Sequence, residues 1–170
     1  MKKLLSLMAI GAAFLLLSSC SSDDDDKAPV APTELYGTWS LVNDADRTIM
    51  TTLTFSTQRF INYSATSTTV NPSIPANCPT YTRDILKDPS ITDPYAVNQK
   101  EYTKEQGYFT VSGNQLTLWP QVSRTSTDGT TWTETAAADL PSMELYTYVL
   151  SAANIMIITK GDGTRQTYLK

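Results

Sequence analysis

The chain has 170 residues, with 13 Lys and Arg against 17 Asp and Glu, two Cys, nine Pro and no His, a length that fits one domain plus tails and argues against a two-domain enzyme. Without histidine there is no Ser-His-Asp or Cys-His nucleophile pair, no His-ligated zinc, and no side chain whose unperturbed pKa lies near neutrality. A net charge of -4 with no Lys/Arg cluster offers no counterion-release drive toward nucleic acid, so nucleic acid is not an expected partner.

In chain order, Met1-Lys2-Lys3-Leu4-Leu5 and the apolar run to Leu15-Leu16-Leu17 form the charged and hydrophobic regions of a secretory signal over 1–19. The run is shorter than the ~20 residues a membrane span needs and stops at a Ser/Asp tract. Leu17-Ser18-Ser19-Cys20 resembles the bacterial lipobox, which implies cleavage before Cys20 and acylation of its thiol. Ser21, Ser22 and the aspartates Asp23, Asp24, Asp25 and Asp26 follow, and they resemble the surface-export signal of lipoproteins in the Bacteroidetes. The plainer alternative is a solvated, self-repelling linker. Residues 20–33 are thus the lipidated Cys and an acidic, Pro-containing tether, and outer-membrane lipid reached through Cys20 is the first expected partner.

Processing removes Lys2 and Lys3, leaving 11 basic residues (13 less two) against 17 acidic, or -6. Four of those negatives belong to the tether, which argues against electrostatic recruitment of the domain. Cys78 is then the one thiol left, so no internal disulfide is expected and stability must come from the core. With no His nearby, an inert or partly buried thiol is the preferred reading of Cys78.

From residue 34 the chain is rich in Thr, Tyr, Val and Ile and breaks often at Gly, Asn and Asp, the pattern of an all-β domain. Strands are expected at Leu35 to Asn43, with Trp39 and Leu41 on one face, and at Thr48 to Ser56, with Ile49, Thr51, Leu53 and Phe55 on one face. A third, Arg59 to Ala65, forms a hairpin with the second. Further strands are Gly107 to Ser112, Gln115 to Gln121, Thr130 to Ala136, Met143 to Leu150, Asn154 to Lys160 and Thr164 to Leu169, joined by tight turns such as Ser112-Gly113-Asn114. Short connections between successive strands mean an up-and-down antiparallel meander. The stretch 67–106 holds Pro72, Pro75, Pro79, Pro89 and Pro94 and is read as a proline-rich insertion or lid, with a short helix near Arg83 to Lys87 and an irregular strand near Ala96 to Thr103.

Three segments carry a resemblance. Gly37-Thr38-Trp39 is similar to the Gly-x-Trp of the first barrel strand in lipocalins and related calycins. With the hairpin Gly107 to Leu118 and the segment Ile158 to Lys170, it resembles the lipocalin-like domains of Bacteroidetes surface lipoproteins. The resemblance covers most of 34–170 outside the insertion, although the second lipocalin signature, around a Thr-Asp-Tyr turn, is absent. It implies a barrel of about 8 to 10 strands whose closed end is plugged by Trp39, with Arg165 or Lys170 packed on the ring in a structural cation-π pair.

A barrel of that size encloses room for one small ligand, and Tyr63, Tyr81, Tyr95, Tyr102, Tyr108, Trp119 and Trp132 could supply stacking faces for it. The competing reading makes them ordinary core and cross-strand aromatics, as β propensity selects. The carboxylate pairs Glu101/Glu105 and Glu134/Glu144 sit in no recognisable motif and read as surface charges, so no catalytic residue is expected. Asp162 in Gly161-Asp162-Gly163 lacks the repeated oxygen ligands of a calcium loop and reads as a hairpin turn. No metal or cofactor is expected. The sequence therefore points to a lipid-anchored outer-membrane protein, exposed at the cell surface, whose barrel (34–170) is a non-catalytic module for a small apolar or amphipathic ligand. The alternative is a structural or interaction domain contacting a protein or glycan.

Overall fold

The computed structural model describes residues 31–42, 46–58, 61–64, 67–70, 78–152 and 154–170, the two short stretches 61–64 and 67–70 by backbone alone. The expected signal peptide, Cys20 and the export residues Ser21 to Asp26 lie outside them. The strands are β1 (Gly37–Leu41), β2 (Ile49–Ser56), β3 (Ile61–Ser64), β4 (Ser67–Val70), β5 (Thr80–Lys87), β6 (Glu101–Ser112), β7 (Gln115–Ser126), β8 (Thr133–Glu134), β9 (Glu144–Leu150), β10 (Ile155–Lys160) and β11 (Arg165–Leu169). Eight of them, β1, β2, β5, β6, β7, β9, β10 and β11, pair antiparallel around a closed ring that ends where β11 returns to β1, and β8 adds to β7 outside it. This is the connectivity of an up-and-down, lipocalin-like barrel. β3 and β4 form their own hairpin.

Side chains alternate along each stave, so register decides what meets inside. One inward row runs Trp39, Leu53, Arg83, Glu105 across β1, β2, β5 and β6, and the next runs Phe55, Tyr81, Gly107. Trp39, Leu53, Phe55, Phe109, Leu116, Leu118, Met156 and Tyr168 are all buried in one core, with the Phe55 and Phe109 rings edge-on at 4.7 Å. The expected faces of the first two strands are those observed.

Trp39 plugs one end. It is 0% exposed, its indole Nε1–H donates to the Leu35 carbonyl at 2.7 Å, and the Lys170 Nζ lies 5.2 Å from the ring centroid. Lys170 also donates to the Glu34 carbonyl at 3.0 Å, so the C-terminal residue ties the chain's entry point to the plug. Of the two basic candidates Lys170 makes the contact, while Arg165 is an exposed residue on the outer wall. Gly37 is required beside it: its φ is +120°, and a Cβ there would lie 2.7 Å from the Lys170 Cε.

A β-bulge shifts the β6–β7 register between Gln106 and Gly107. A Cβ on Gly107 would stand 2.1 Å from the Trp119 carbonyl oxygen and 2.9 Å from the Tyr81 ring. Because the closer atom is backbone, Gly107→Ala is expected to cost about 1–3 kcal/mol in urea unfolding, and an unchanged midpoint would mean that β7 moves freely.

The segment 67–106 corrects the expectation of an insertion. It contributes β4, the whole of β5 and the start of β6, and the helix expected near Arg83 to Lys87 is the second half of stave β5. The prolines do not prevent this, because Pro79 directly precedes β5 while Pro89 and Pro94 follow it; Pro72 and Pro75 lie outside the described residues. An inward-facing Arg83 breaks the apolar alternation that would have marked a strand. Two further expectations change: β2 pairs with β5 and not with the strand after it, and Thr130 to Ala136 shortens to β8. Cys78 is buried and disulfide-bonded, which corrects the expectation of a lone thiol.

Candidate ligand-binding groove

Among the described residues, a polar centre lies inside the barrel and a groove lies on its outer wall. Inside, Arg83 Nη2 donates to Glu105 Oε2 at 2.8 Å and to Glu144 Oε1 at 3.0 Å, while Nη1 donates to Glu144 Oε2 at 2.8 Å. The Tyr81 hydroxyl donates to Glu105 at 2.7 Å and the Tyr146 hydroxyl to Glu144 at 2.6 Å. Burial would lower the guanidinium pKa, but the hydrogen bond to Glu144 and the charges of both carboxylates outweigh it and push it up. Burial likewise works against Glu144, yet the Arg83 hydrogen bond and charge hold its carboxyl below the usual range. Each carboxylate oxygen here accepts from a tyrosine or from Arg83, while the buried Arg83 Nε–H has no protein acceptor among the described residues. The cluster joins Glu105 and Glu144, which belonged to two different pairs in the sequence. Its chemistry is that of a cross-barrel tie.

The groove lies on the outer wall of β2, β5 and β6. Two register rows make its floor: Met50, Leu86 and Tyr102 form an apolar row, and Thr52, Asp84 and Lys104 form a polar row beside it. The wall is the loop between β7 and β8, with Gly129 against the Tyr102 ring and Trp132 beneath Lys104, whose Nζ is 5.3 Å from its ring centroid. The volume is about 570 Å³, within the ~300–1,000 Å³ typical of small-molecule sites.

The loop is built by short-range hydrogen bonds. Ser126 Oγ accepts from Gly129 N–H at 2.9 Å, and Asp128 Oδ1 accepts from Thr130 and Thr131 N–H, both at 2.7 Å. These amides hold the Asp128 carboxyl well below the usual carboxylate range. Gly129 takes φ +74°, after which β8 pairs back onto β7 and Arg124 bridges to Glu134 at 3.1 Å. Trp132 is thereby held in the wall, under Lys104.

No family model, no curated protein and no solved structure matches the chain.

Of the seven aromatics expected to face a ligand, the structure brings Tyr102 and Trp132 together in the groove. Tyr108 and Trp119 stack on each other at 5.7 Å elsewhere on the outer face of β6 and β7. Tyr81 is turned into the barrel, and Tyr95 stands 94% exposed in the β5–β6 connection. The side chain of Tyr63 lies outside the described residues. Asp162 accepts from Thr164 N–H at 2.8 Å in the β10–β11 turn. Sequence reasoning missed Met50, Thr52, Asp84, Leu86 and Lys104. Period-two alternation through β5 was the signal available, and the helical reading of Arg83 to Lys87 hid it.

Proposed function

We propose that this chain is a surface-exposed outer-membrane lipoprotein, anchored through acylated Cys20, whose lipocalin-like barrel is a non-catalytic binding module for a small amphipathic ligand. The observation that carries the reading is the groove floor, with three apolar side chains in one row and Thr52, Asp84 and Lys104 in the next. A ligand with an apolar face and a polar edge can satisfy both rows at once. The groove is favoured over the barrel axis because the apolar half of the interior is already filled by buried side chains. Trp132 supplies a flat stacking surface, with Lys104 and Asp84 as the orienting charges.

The test is native mass spectrometry of the protein purified from a complex lysate and then incubated with a lipid and metabolite extract. The expected result is a stoichiometric small-molecule adduct whose affinity falls about tenfold, ~1.4 kcal/mol, in Trp132→Ala. An adduct indifferent to Trp132 would move the site elsewhere. No adduct in either condition would favour the competing protein or glycan contact, for which the 94% exposed Tyr95 is the first residue to examine. The anchor has its own test: the chain has two cysteines, and one sulfur cannot carry both a lipid thioether and a disulfide. Acylation of Cys20 therefore excludes it from any disulfide, and intact mass with a maleimide count under denaturing conditions reads the state of both cysteines directly.

A further inference from the structure

β10 stands diametrically across the ring from β5, so the wall formed by β9, β10 and β11 faces away from the groove. Its outward positions follow from the register: Val149 lies opposite Ile157, and Ile155 opposite Leu169. Val149 and Leu169 are 52% and 42% exposed, and both isoleucines are half-buried. Among the outward positions of these three staves only Arg165 is charged, the rest being aliphatic or threonine. The groove wall, by contrast, carries Asp84 and Lys104 on its outward face.

The patch also has a definite place along the barrel axis. Ile155 and Leu169 border the plugged end, where the Lys170 N–H donates to the Asn154 carbonyl at 3.1 Å and the Lys170 ammonium reaches Glu34. The N-terminal segment enters there, with Ala31 and Leu35 buried under Trp39. From Cys20 to Ala31 is eleven residue steps, which reach about 40 Å at full extension. An anchor at Cys20 therefore keeps this end of the barrel beside the bilayer.

We propose that the aliphatic face of β9, β10 and β11 lies on the lipid surface in which Cys20 is anchored, turning the groove of β2, β5 and β6 outward. This rests on the lipid-anchor reading above. A second copy of the chain fits the face less well, because the five partly exposed aliphatic side chains, Leu145 on β9 included, offer a few hundred Å² where a stable dimer needs roughly 800 Å² per partner. On a tethered protein a weak apolar contact suffices, since the anchor supplies the effective concentration and the face supplies the second membrane signal. A face whose one charge is Arg165 suits a bilayer surface, and the threonines between the aliphatics can bond to headgroups.

The tether supplies the experiment. Asp23 to Lys27 is the sequence after which enteropeptidase cuts, so the anchor can be severed from the full mature chain after reconstitution into phosphatidylethanolamine/phosphatidylglycerol vesicles. The expected result is that, at millimolar lipid where a weak contact is populated without the anchor, a measurable fraction of the cut domain still floats with the vesicles. Ile157→Lys and Val149→Lys are each expected to lower the bound fraction at least tenfold while keeping the wild-type melting curve. Thr82→Lys, which places the same charge on the outward face of β5, leaves it bound. Complete release of the cut domain, release as a dimer, or equal binding by all three variants overturns the proposal. If the uncut chain does not float, the anchor reading fails, and the cut domain added to the same vesicles still decides whether the face binds lipid.

Discussion

Trp39→Ala is expected to destabilise the protein by about 3–5 kcal/mol, the cost of truncating a large aromatic in a core that relaxes only in part. Its effect should lie at the top of any alanine series, because three kinds of contact go together. The ring is 0% exposed among Leu35, Leu53 and Met156, its indole donates to the Leu35 carbonyl, and Lys170 sits over its face. Losing the ring leaves a cavity and an unpaired carbonyl at the end where Lys170 meets the segment leading into β1. Urea unfolding at pH 7 measures it, with an unchanged m-value showing that the denatured state is the same. A loss below about 1 kcal/mol would mean that the plugged end is held by something other than this side chain.

Arg83→Met is expected to cost about 3 kcal/mol at pH 7. Removing one partner of a buried ion pair costs roughly 3–5 kcal/mol, and the 18% exposure of the Arg83 side chain lets water screen the orphaned charges, so the lower end applies. Two carboxylates, Glu105 and Glu144, would then face each other inside the barrel with no cation on either. The penalty should shrink toward pH 4, where a carboxyl can take up a proton and relieve the repulsion. In the wild-type protein the sign is the reverse. Glu144 has a folded pKa below its unfolded value, so its contribution is complete above the ordinary carboxylate range and is lost as pH falls through the folded value. At the alkaline end, burial and the neighbouring carboxylates raise the Tyr81 and Tyr146 phenols. Their contribution is complete below about pH 10 and is lost as pH rises through the folded values. Chemical denaturation of both proteins across this range checks all three slopes, and a penalty independent of pH would show that the carboxylates are not coupled to Arg83.

How much of this was legible beforehand depends on the range of the interaction that decided it. β2 and the C-terminal staves were readable because β-branched and apolar residues alternate with polar ones, which is a property of neighbours in the chain. The turn at Gly113 was readable for the same reason, since its φ of +59° is one that glycine adopts at low cost. β5 was not, because its middle inward position is an arginine whose partners lie 22 and 61 residues away. An isolated Arg83 beside Asp84 resembles a solvated helix face, and only the carboxylates arriving from β6 and β9 make it an interior residue.

The amino-acid sequence by itself determined the all-β class, the meander and the lack of histidine, because each follows from composition or from period-two alternation, while the Gly-x-Trp resemblance offered Arg165 or Lys170 beside Trp39 and the structure chose Lys170. Tertiary structure alone decided that 67–106 supplies staves, that Glu105 and Glu144 share one guanidinium, and that Met50, Leu86 and Tyr102 lie in register beside Thr52, Asp84 and Lys104. Those are facts of inter-strand register, and register is set by closure of the whole ring, which no local stretch of sequence encodes.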